Sequence, residues 1–236
     1  MGASILRGAF GQHQREQLAA KVDAEPAECT VAVGLDRGHR LVVNPAKVPV
    51  HDVRQFVAWS RTQKSLFMGT FGAGTPGHFG AFLFGDAVGL KPEPVHYKTT
   101  GDALGGLFGA DVAGSFASVG LAAANVKAGK LLALASSGDA RSASLPDVPT
   151  FREQGYPQLA FNSWFGIVAP ARTPPAVMAR LEADIRKAVQ SAEGKARLEE
   201  AGFGVTGTTA REFAHIIDAD TVKWGKVVAA TGFKAD

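Results

Sequence analysis

Residues 65–80, SLFMGTFGAGTPGHFG, constrain the fold of this chain more than any other stretch. Residues 66–68 form a short apolar run of strand length, and the cluster of Gly, Thr and Pro after them ends that run. Thr75 is a favourable N-cap residue, and Pro76 is a favourable first helical residue. A strand, a glycine-rich turn and a helix in this order are typical of α/β proteins.

The glycines of this turn indicate a binding site for a small anion. Gly69, Gly72, Gly74 and Gly77 allow a positive φ or a close approach of the backbone to a ligand. The N–H groups at the start of the helix, together with the positive end of its dipole, favour a carboxylate or a phosphate. The alternative is that the glycines serve only the tight packing of strand against helix. We favour binding of a small anion by backbone N–H groups.

A nucleotide site is a competing interpretation of the same turn. Gly72, Gly74 and Gly77 satisfy G-x-G-x-x-G after a strand, and Glu93 lies near the distance at which dinucleotide folds place an acidic residue for the ribose. However, Glu93 precedes the next apolar run, residues 94–97, whereas that acidic residue should lie at the far end of the second strand. A nucleotide-dependent enzyme is therefore the less favoured hypothesis.

Strand and helix patterns alternate along the middle of the chain. A predicted helix over residues 51–61 has Val53, Phe56, Val57 and Ser60 on one face. Further helices are predicted over residues 75–88, from Thr100 and over 121–130, and further strands over 95–97, 111–116 and 131–135. This alternation predicts a parallel sheet with helices on both faces.

The two ends of the chain add further elements. Near the start, residues 31–34 and 41–43 are predicted strands around a polar turn at residues 36–38. Near the end, Thr209 and Glu212 form a capping box that begins the last helix. The preceding helix carries an apolar stripe made of Val177, Leu181, Ile185 and Val189.

Composition excludes several classes of function. The chain of 236 residues is 46% hydrophobic and 20% charged, so it can bury a real core. Its net charge of +3 comes from 25 basic and 22 acidic residues without a basic block, so we expect no nucleic-acid partner. Cys29 is the single cysteine, and the histidines lack metal-ligand spacing, so we expect neither a disulfide nor a metal site nor a cofactor.

Targeting signals are absent from the sequence as given. The first residues contain no continuous apolar segment of secretory length, and no stretch has the length and hydropathy of a transmembrane span. If the start of the chain is real, this predicts a cytoplasmic location.

Several consecutive motifs resemble those of one family. They include HYKTTGDALGGLFGADV, LPDVPTFREQGYP and NSWFGIVAPARTPPAVMARLEADI, and the likeness covers roughly residues 31–236. The chain is similar to the Bug-type, or TctC-like, extracytoplasmic solute receptors of tripartite tricarboxylate transporters. The run LPDVPTFREQGYP is the most specific of these motifs.

The resemblance implies a fold, a function and a set of site residues. It implies an α/β periplasmic-binding-protein-like fold of two lobes that close on a small carboxylate, a di- or tricarboxylate or an acidic amino acid. Such a receptor is periplasmic, works with the membrane transporter subunits of the tripartite system and is not an enzyme. The ligand-binding residues that the resemblance implies are Thr70, Gly72, Gly74, Thr75, His78, Ser115, Ala117 and Ser118.

The sequence also departs from the family pattern at its start. The usual signal peptide and a Pro-Gly-Gly ligand loop of the first lobe are not found in it, so we expect one near-complete lobe and one truncated lobe. The expected division is a remnant of lobe 1 over residues 1–44, the ligand-binding lobe 2 over 45–163 and the rest of lobe 1 over 164–236. Exposed lobe 1 helices would then favour self-association. A truncated remnant without a transport role is the alternative function.

Overall fold

The computed structural model describes residues 29–31, 35–170, 172–200 and 203–233, which fall into two compact units. Unit 2 is Arg37–Ser163, and unit 1 comprises the described residues up to Asp36 and those from Trp164 onward. The described strands are β1 Cys29–Val31, β2 Leu35–Val43, β3 Phe67–Thr70, β4 Glu93–His96, β5 Gly114–Ser118, β6 Leu132–Ser136, β7 Asn162–Ser163, β8 Ile167–Ala169 and β9 Gly204–Val205. The described helices are α1 Val53–Ser60, α2 Pro76–Val88, α3 Thr100–Gly109, α4 Val119–Lys127, α5 Pro175–Gln190, α6 Ala192–Glu200 and α7 Ala210–Thr231.

A mixed sheet forms the centre of unit 2. Its strand order is β4-β3-β5-β2-β6, with β3 parallel to both β4 and β5 and with β2 antiparallel to both β5 and β6. The predicted α/β architecture is confirmed, but the sheet is not wholly parallel. The alternation of strands and helices did not reveal the direction of β2, because β2 pairs with strands that lie far from it in sequence.

The predicted turn at residues 36–38 is wrong, because these residues lie in β2. These residues are extended and belong to one continuous strand. Leu35 and Asp36 pair with β9, whereas Arg37 and Gly38 pair with β7. The backbone stays extended because partner strands supply hydrogen bonds that outweigh the turn propensity of the sequence. Residues 37–44 lie in unit 2, and the expected division into lobes stays a prediction.

Two helices of unit 2 follow the sequence prediction closely. Helix α1 buries Val53, Phe56, Val57 and Ser60, the four residues predicted to share a face. Helix α2 begins as predicted, with Thr75 as N-cap, its hydroxyl accepting the His78 N–H, and with Pro76 in the first turn. Helix α3 differs slightly, because its N-cap is Thr99 rather than Thr100. The buried residues of α2 include Phe79, Phe84 and Val88, whereas Phe82 and Leu83 are half-buried.

Large aromatic side chains hold α2 against the sheet. Phe116 of β5 is fully buried and contacts Phe151 and Phe161, with ring centroids 5.8 Å apart in both pairs. A Cβ atom on Gly80 would lie 2.9 Å from Phe161 Cζ and 3.0 Å from Phe116 Cγ. Glycine at position 80 therefore lets the helix approach these rings.

Unit 1 contains the β1–β8 pair and helices α5, α6 and α7. The predicted capping box of Thr209 and Glu212 is present at the start of α7, and Phe213 in its first turn is fully buried. Trp164 donates a hydrogen bond from Nε1 to Asp220 Oδ2 at 2.8 Å, and its ring meets Phe213 edge-on.

Helix α5 has no buried residue in the part of the chain that the structure describes. Val177 and Leu181 of its predicted apolar stripe are 46% and 38% exposed. Self-association through these helices stays a prediction. Among the described residues, no helix combines the length and the hydropathy that crossing a bilayer requires.

We expect Gly80→Ala to destabilise the protein. The added methyl group would lie closer to Phe116 and Phe161 than van der Waals contact allows, and both rings are buried in the core. Such overpacking costs about 1–3 kcal/mol of the free energy of unfolding. Urea unfolding followed by circular dichroism measures the free energy of unfolding.

Gly105→Ala is the matched control, because Gly105 is also helical and a Cβ there would meet nothing within 4 Å. This variant should be neutral or about 0.5–1 kcal/mol more stable, since Ala has the higher helix propensity. Equal stabilities of the two variants would show that close packing at Gly80 is unimportant.

Candidate functional site

Three helices of unit 2 begin at the same edge of the sheet. Strands β3, β4 and β5 run parallel, and each is followed along the chain by a helix, α2, α3 and α4 respectively. The carboxyl ends of parallel strands meet at one edge, and this edge is where open α/β sheets bind ligands. The N-cap residues are Thr75, Thr99 and Ser118.

A cavity of about 230 Å³ lies at these helix starts. It is lined by Thr75, the N-cap of α2, by Pro76 and Gly77 in the first turn of α2, by Thr100 of α3 and by Ser118 at the start of α4. The remaining lining residues are His39, Phe71, Phe116 and Leu121. All of them belong to unit 2, so the cavity lies within one compact unit.

The glycine turn between β3 and α2 has the geometry that its sequence predicts. Gly72 has a φ of 128° and Gly74 a φ of 73°, values that side chains other than glycine rarely adopt. The Gly72 carbonyl accepts hydrogen bonds from the hydroxyls of Thr75 at 2.8 Å and Thr70 at 3.3 Å. These two threonines hold the turn against the first residues of α2.

Gly77 contributes to packing rather than to the turn. A Cβ atom at this position would lie 3.0 Å from the carbonyl oxygen of Phe116. The absence of a side chain therefore lets the start of α2 lie close to β5. Gly72 and Gly74 thus serve the sharp turn and Gly77 serves packing, whereas binding of an anion by this turn stays a prediction.

His78, at the start of α2, stabilises the glycine turn through a side-chain hydrogen bond. Its side chain is buried, and Nδ1 accepts a hydrogen bond from the Gly74 N–H at 3.1 Å. The ring meets His96 edge-on at a centroid distance of 4.7 Å. His96 is exposed, and its Nδ1 lies 2.7 Å from Thr70 Oγ1. Thr70, Gly74, His78 and His96 thus connect the end of β4 to the glycine turn.

Both histidines of this cluster have a lowered pKa. Burial lowers the pKa of His78, and the neighbouring His96 lowers it further. Partial desolvation of the ring, although His96 is exposed as a whole, also lowers the pKa of His96. The start of a helix also disfavours a cation, because the helix dipole is positive there.

The cavity offers an anion backbone N–H groups and hydroxyls rather than charged side chains. None of the described residues that line it is Lys, Arg, Asp or Glu. A helix start offers N–H groups without intrahelical acceptors and the positive end of the helix dipole. Pro76 has no N–H, and the N–H groups of His78 and Asp102 are already bound by the N-caps Thr75 and Thr99. No group of three or more potential metal-ligating side chains occurs in the described part of the chain. This arrangement suits a small anion.

The predicted site residues fall into three groups. Thr75 and Ser118 line the cavity, whereas Thr70, Gly72, Gly74 and His78 build the turn beside it. Ser115 and Ala117 are buried within the sheet, where Ser115 Oγ donates a hydrogen bond of 2.7 Å to the Gly69 carbonyl. A role of any of these residues in ligand binding stays a prediction.

The sequence analysis missed several residues of the cavity. Thr100 begins the helix after β4, so the strand–helix rule that identified Thr75 applies to it equally. Phe71 and Leu121 carried no signal beyond their hydropathy. His39 comes from the antiparallel strand β2, and only the pairing of β2 with β5 brings it here.

A family model identifies the class of protein to which this chain belongs. The model of the tripartite tricarboxylate transporter receptor family, TctC, matches residues 28–233. The chain belongs to this family. Its fold is that of periplasmic binding proteins, as the resemblance implied, and family and fold are both those of solute-binding receptors.

Individual relatives of this TctC-family chain are moderately similar to it. Protein BugT of Bordetella pertussis is 30% identical over 196 residues, which are 82% of this chain and 60% of BugT. A UPF0065 protein of Pseudomonas sp., from the tcbD-tcbE intergenic region, is 27% identical over 80% of this chain and 56% of its own length. The chain thus spans between half and two thirds of the length of these curated relatives.

Solved structures extend the comparison to the fold. Rpa4515 of R. palustris, solved with adipate, has a TM-score of 0.78 and 26% identity, covering 86% of this chain and 68% of Rpa4515. A structure described as a periplasmic transporter has a TM-score of 0.79 and 27% identity, covering 90% of this chain and 71% of that chain.

The position of Glu93 in this TctC-family chain disfavours the nucleotide hypothesis. Glu93 is the first residue of β4 and pairs with Phe67, the first residue of β3. The glycine turn follows Thr70, at the other end of β3. Glu93 therefore lies at the amino ends of the parallel strands, whereas the turn lies at their carboxyl ends. At this position Glu93 cannot contact a ribose bound at the turn.

We expect His78→Asn to change how stability depends on pH. The pKa of His78 is lowered in the folded chain, whereas an unfolded histidine titrates near about 6.5. Stabilisation by neutral His78 is therefore complete above about pH 6.5 and is lost as the pH falls toward the folded-state pKa. Asn keeps an acceptor for the Gly74 N–H and does not titrate. The variant should lose less stability between about pH 7.5 and about pH 5.5, measured by urea unfolding.

His215→Asn serves as the control, because His215 is exposed on α7 in the other unit. It should lose as much stability as the wild type over the same pH interval. A His78→Asn variant with the wild-type pH dependence would contradict the assigned role of His78.

Proposed function

We propose that this chain is a solute-binding receptor for a small carboxylate and that it passes its ligand to the membrane subunits of a tripartite tricarboxylate transporter. The ligand class is a di- or tricarboxylate or an acidic amino acid. One observation carries the proposal: the N-termini of α2, α3 and α4 meet at a single cavity at the carboxyl edge of the parallel strands.

Membership of the TctC receptor family supports the same function. Rpa4515, which is 26% identical to this chain, was solved with adipate, a dicarboxylate. Family membership also supports binding and release of the ligand without chemical change and a periplasmic location. Unit 2, Arg37–Ser163, is then the ligand-binding lobe.

The chemistry of the cavity indicates how the carboxylate is bound. A carboxylate only accepts hydrogen bonds, and bonds from N–H and O–H donors to an ionised acceptor are the stronger kind. Backbone N–H groups at the starts of α2, α3 and α4 are one set of donors. The Ser118 hydroxyl is a second, because it makes no capping hydrogen bond to its own helix. The Thr75 hydroxyl acts indirectly, because it donates to the Gly72 carbonyl and holds the turn.

Isothermal titration of the folded chain tests the proposal. The panel contains succinate, malate, adipate, citrate, glutamate and aspartate, with NAD as a test of the nucleotide hypothesis. We expect at least one carboxylate to bind and NAD not to bind. If folded protein binds no carboxylate of the panel, carboxylate reception is not an activity of this chain.

Ser118→Ala should weaken binding of the best carboxylate by about tenfold or more. The variant removes one hydrogen bond to a charged group, which is worth about 1.5–3 kcal/mol. It should leave folding nearly unchanged, because Ser118 does not cap α4 through its side chain. The measurements are titration calorimetry for the dissociation constant and urea unfolding for stability.

Ser144→Ala is the matched control. Ser144 is also a half-buried serine of unit 2, and it does not line the cavity. Its substitution should leave the dissociation constant unchanged. Wild-type affinity in Ser118→Ala would mean that the carboxylate binds elsewhere.

A further inference from the structure

We infer that unit 2 has a second ligand site, a cavity at the amino ends of its parallel strands that binds a small dianionic oxyanion, phosphate or sulfate. This inference goes beyond the proposed receptor function and is independent of it. The cavity has a volume of about 240 Å³ and is formed by residues at the end of α1, before β3 and at the start of β4. Its lining includes Ser60, Arg61, Lys64, Lys91 and Glu93.

The hydroxyl of Ser60 lacks a partner in the protein. Ser60 shares the buried face of α1 with Val53, Phe56 and Val57, and it is only 3% exposed. Its Oγ is buried and has no hydrogen-bond partner among the described residues. A buried hydroxyl without a partner costs free energy, whereas an alanine at this helical position would not have that cost. Because Ser60 lines the cavity, its hydroxyl is available to a ligand there.

The charged side chains of this cavity favour an anion. Arg61, Lys64 and Lys91 supply three positive charges against the one negative charge of Glu93, so the charged lining has a net charge of +2. None of these four side chains takes part in an ion pair with another described residue. Ammonium and guanidinium groups only donate hydrogen bonds, and their bonds to an ionised oxygen are the stronger kind. A dianion would balance the charge of the lining.

The ends of α1 and α2 offer another reason for cations at this edge. The last carbonyl groups of a helix carry about half a negative elementary charge, which a nearby Lys or Arg offsets. Arg61 does this for α2, because its Nη2 donates to the Val88 carbonyl at 3.1 Å. Lys64 and Lys91 are exposed and donate no side-chain hydrogen bond to a described residue. The helix ends also do not account for the buried hydroxyl of Ser60.

Titration calorimetry of the wild-type chain tests the inference with inorganic phosphate, sulfate and glycerol 3-phosphate. The buffer is zwitterionic, has low ionic strength to limit screening and is held at about pH 8, above the second pKa of a phosphate group. We expect at least one of the three dianions to bind. Phosphate and its glycerol ester together show whether the bound group is the free ion or the end of a larger molecule. Absence of binding by all three would overturn the inference.

Ser60→Ala separates a role in ligand binding from a structural role. It should weaken binding of the tightest dianion by about tenfold or more, as expected for one hydrogen bond to a charged group. Without ligand, its urea unfolding midpoint should equal or exceed that of the wild type, because an unpartnered buried hydroxyl is removed. Wild-type affinity in the folded variant would show that Ser60 binds no ligand and would overturn the inference.

Lys64→Gln and Lys91→Gln test the contribution of charge. Each should weaken binding of the dianion by about threefold or more, because each removes one attractive charge. Lys47→Gln is the matched control, since Lys47 is also an exposed lysine of unit 2 and does not line this cavity. It should keep the wild-type affinity. An equal loss in all three variants would indicate unspecific attraction by net charge and would overturn the inference.

Ser118→Ala tests which of the two cavities holds the dianion. Ser118 lines the cavity at the carboxyl edge of the sheet, so its substitution should leave the affinity for the dianion unchanged. A loss of dianion binding in Ser118→Ala but not in Ser60→Ala would place the ion in that other cavity and overturn the inference. The two proposals fail separately, because absence of carboxylate binding removes the receptor function and absence of dianion binding removes only the second site.

Discussion

The parallel pairing of β3 with both of its neighbours is the constraint on which the rest of unit 2 depends. It sets the carboxyl ends of β3, β4 and β5 at one edge of the sheet, and so it brings the starts of α2, α3 and α4 together. One helix N-terminus attracts an anion weakly in water, whereas three around one cavity add their dipoles. The buried hydrogen bond from Ser115 to the Gly69 carbonyl links β5 to β3 beside this edge.

The glycines of this turn and of the start of α2 meet two different requirements, a positive φ angle at some positions and space for close packing at others. Gly72 and Gly74 supply positive φ angles, which let the chain turn sharply from β3 into α2. Gly77 and Gly80 supply space, because side chains there would meet β5 and the aromatic core. The G-x-G-x-x-G spacing mixes residues of both kinds. A pattern match alone therefore does not distinguish a nucleotide site from a carboxylate site.

The local prediction succeeded where neighbouring residues decide the structure. The buried face of α1, the Thr75 cap and the Thr209–Glu212 capping box each depend on residues within one or two helical turns. It failed for β2, whose Asp-Arg-Gly sequence favours a turn in isolation. Pairing with β7 and β9 supplies the hydrogen bonds that keep this stretch extended, and these partners lie more than 100 residues away.

The sequence by itself determined the strand, turn and helix around Thr75, the family motifs and hence the class of protein. Its motifs also named Thr75 and Ser118, two of the three hydroxyl-bearing residues that line the cavity. Only the tertiary structure brought His39, Phe71, Thr100 and Leu121 to the same cavity. The reason is that hydrogen bonds within a helix or a turn join residues close in sequence, whereas a binding cavity is formed by strand pairing between residues far apart along the chain.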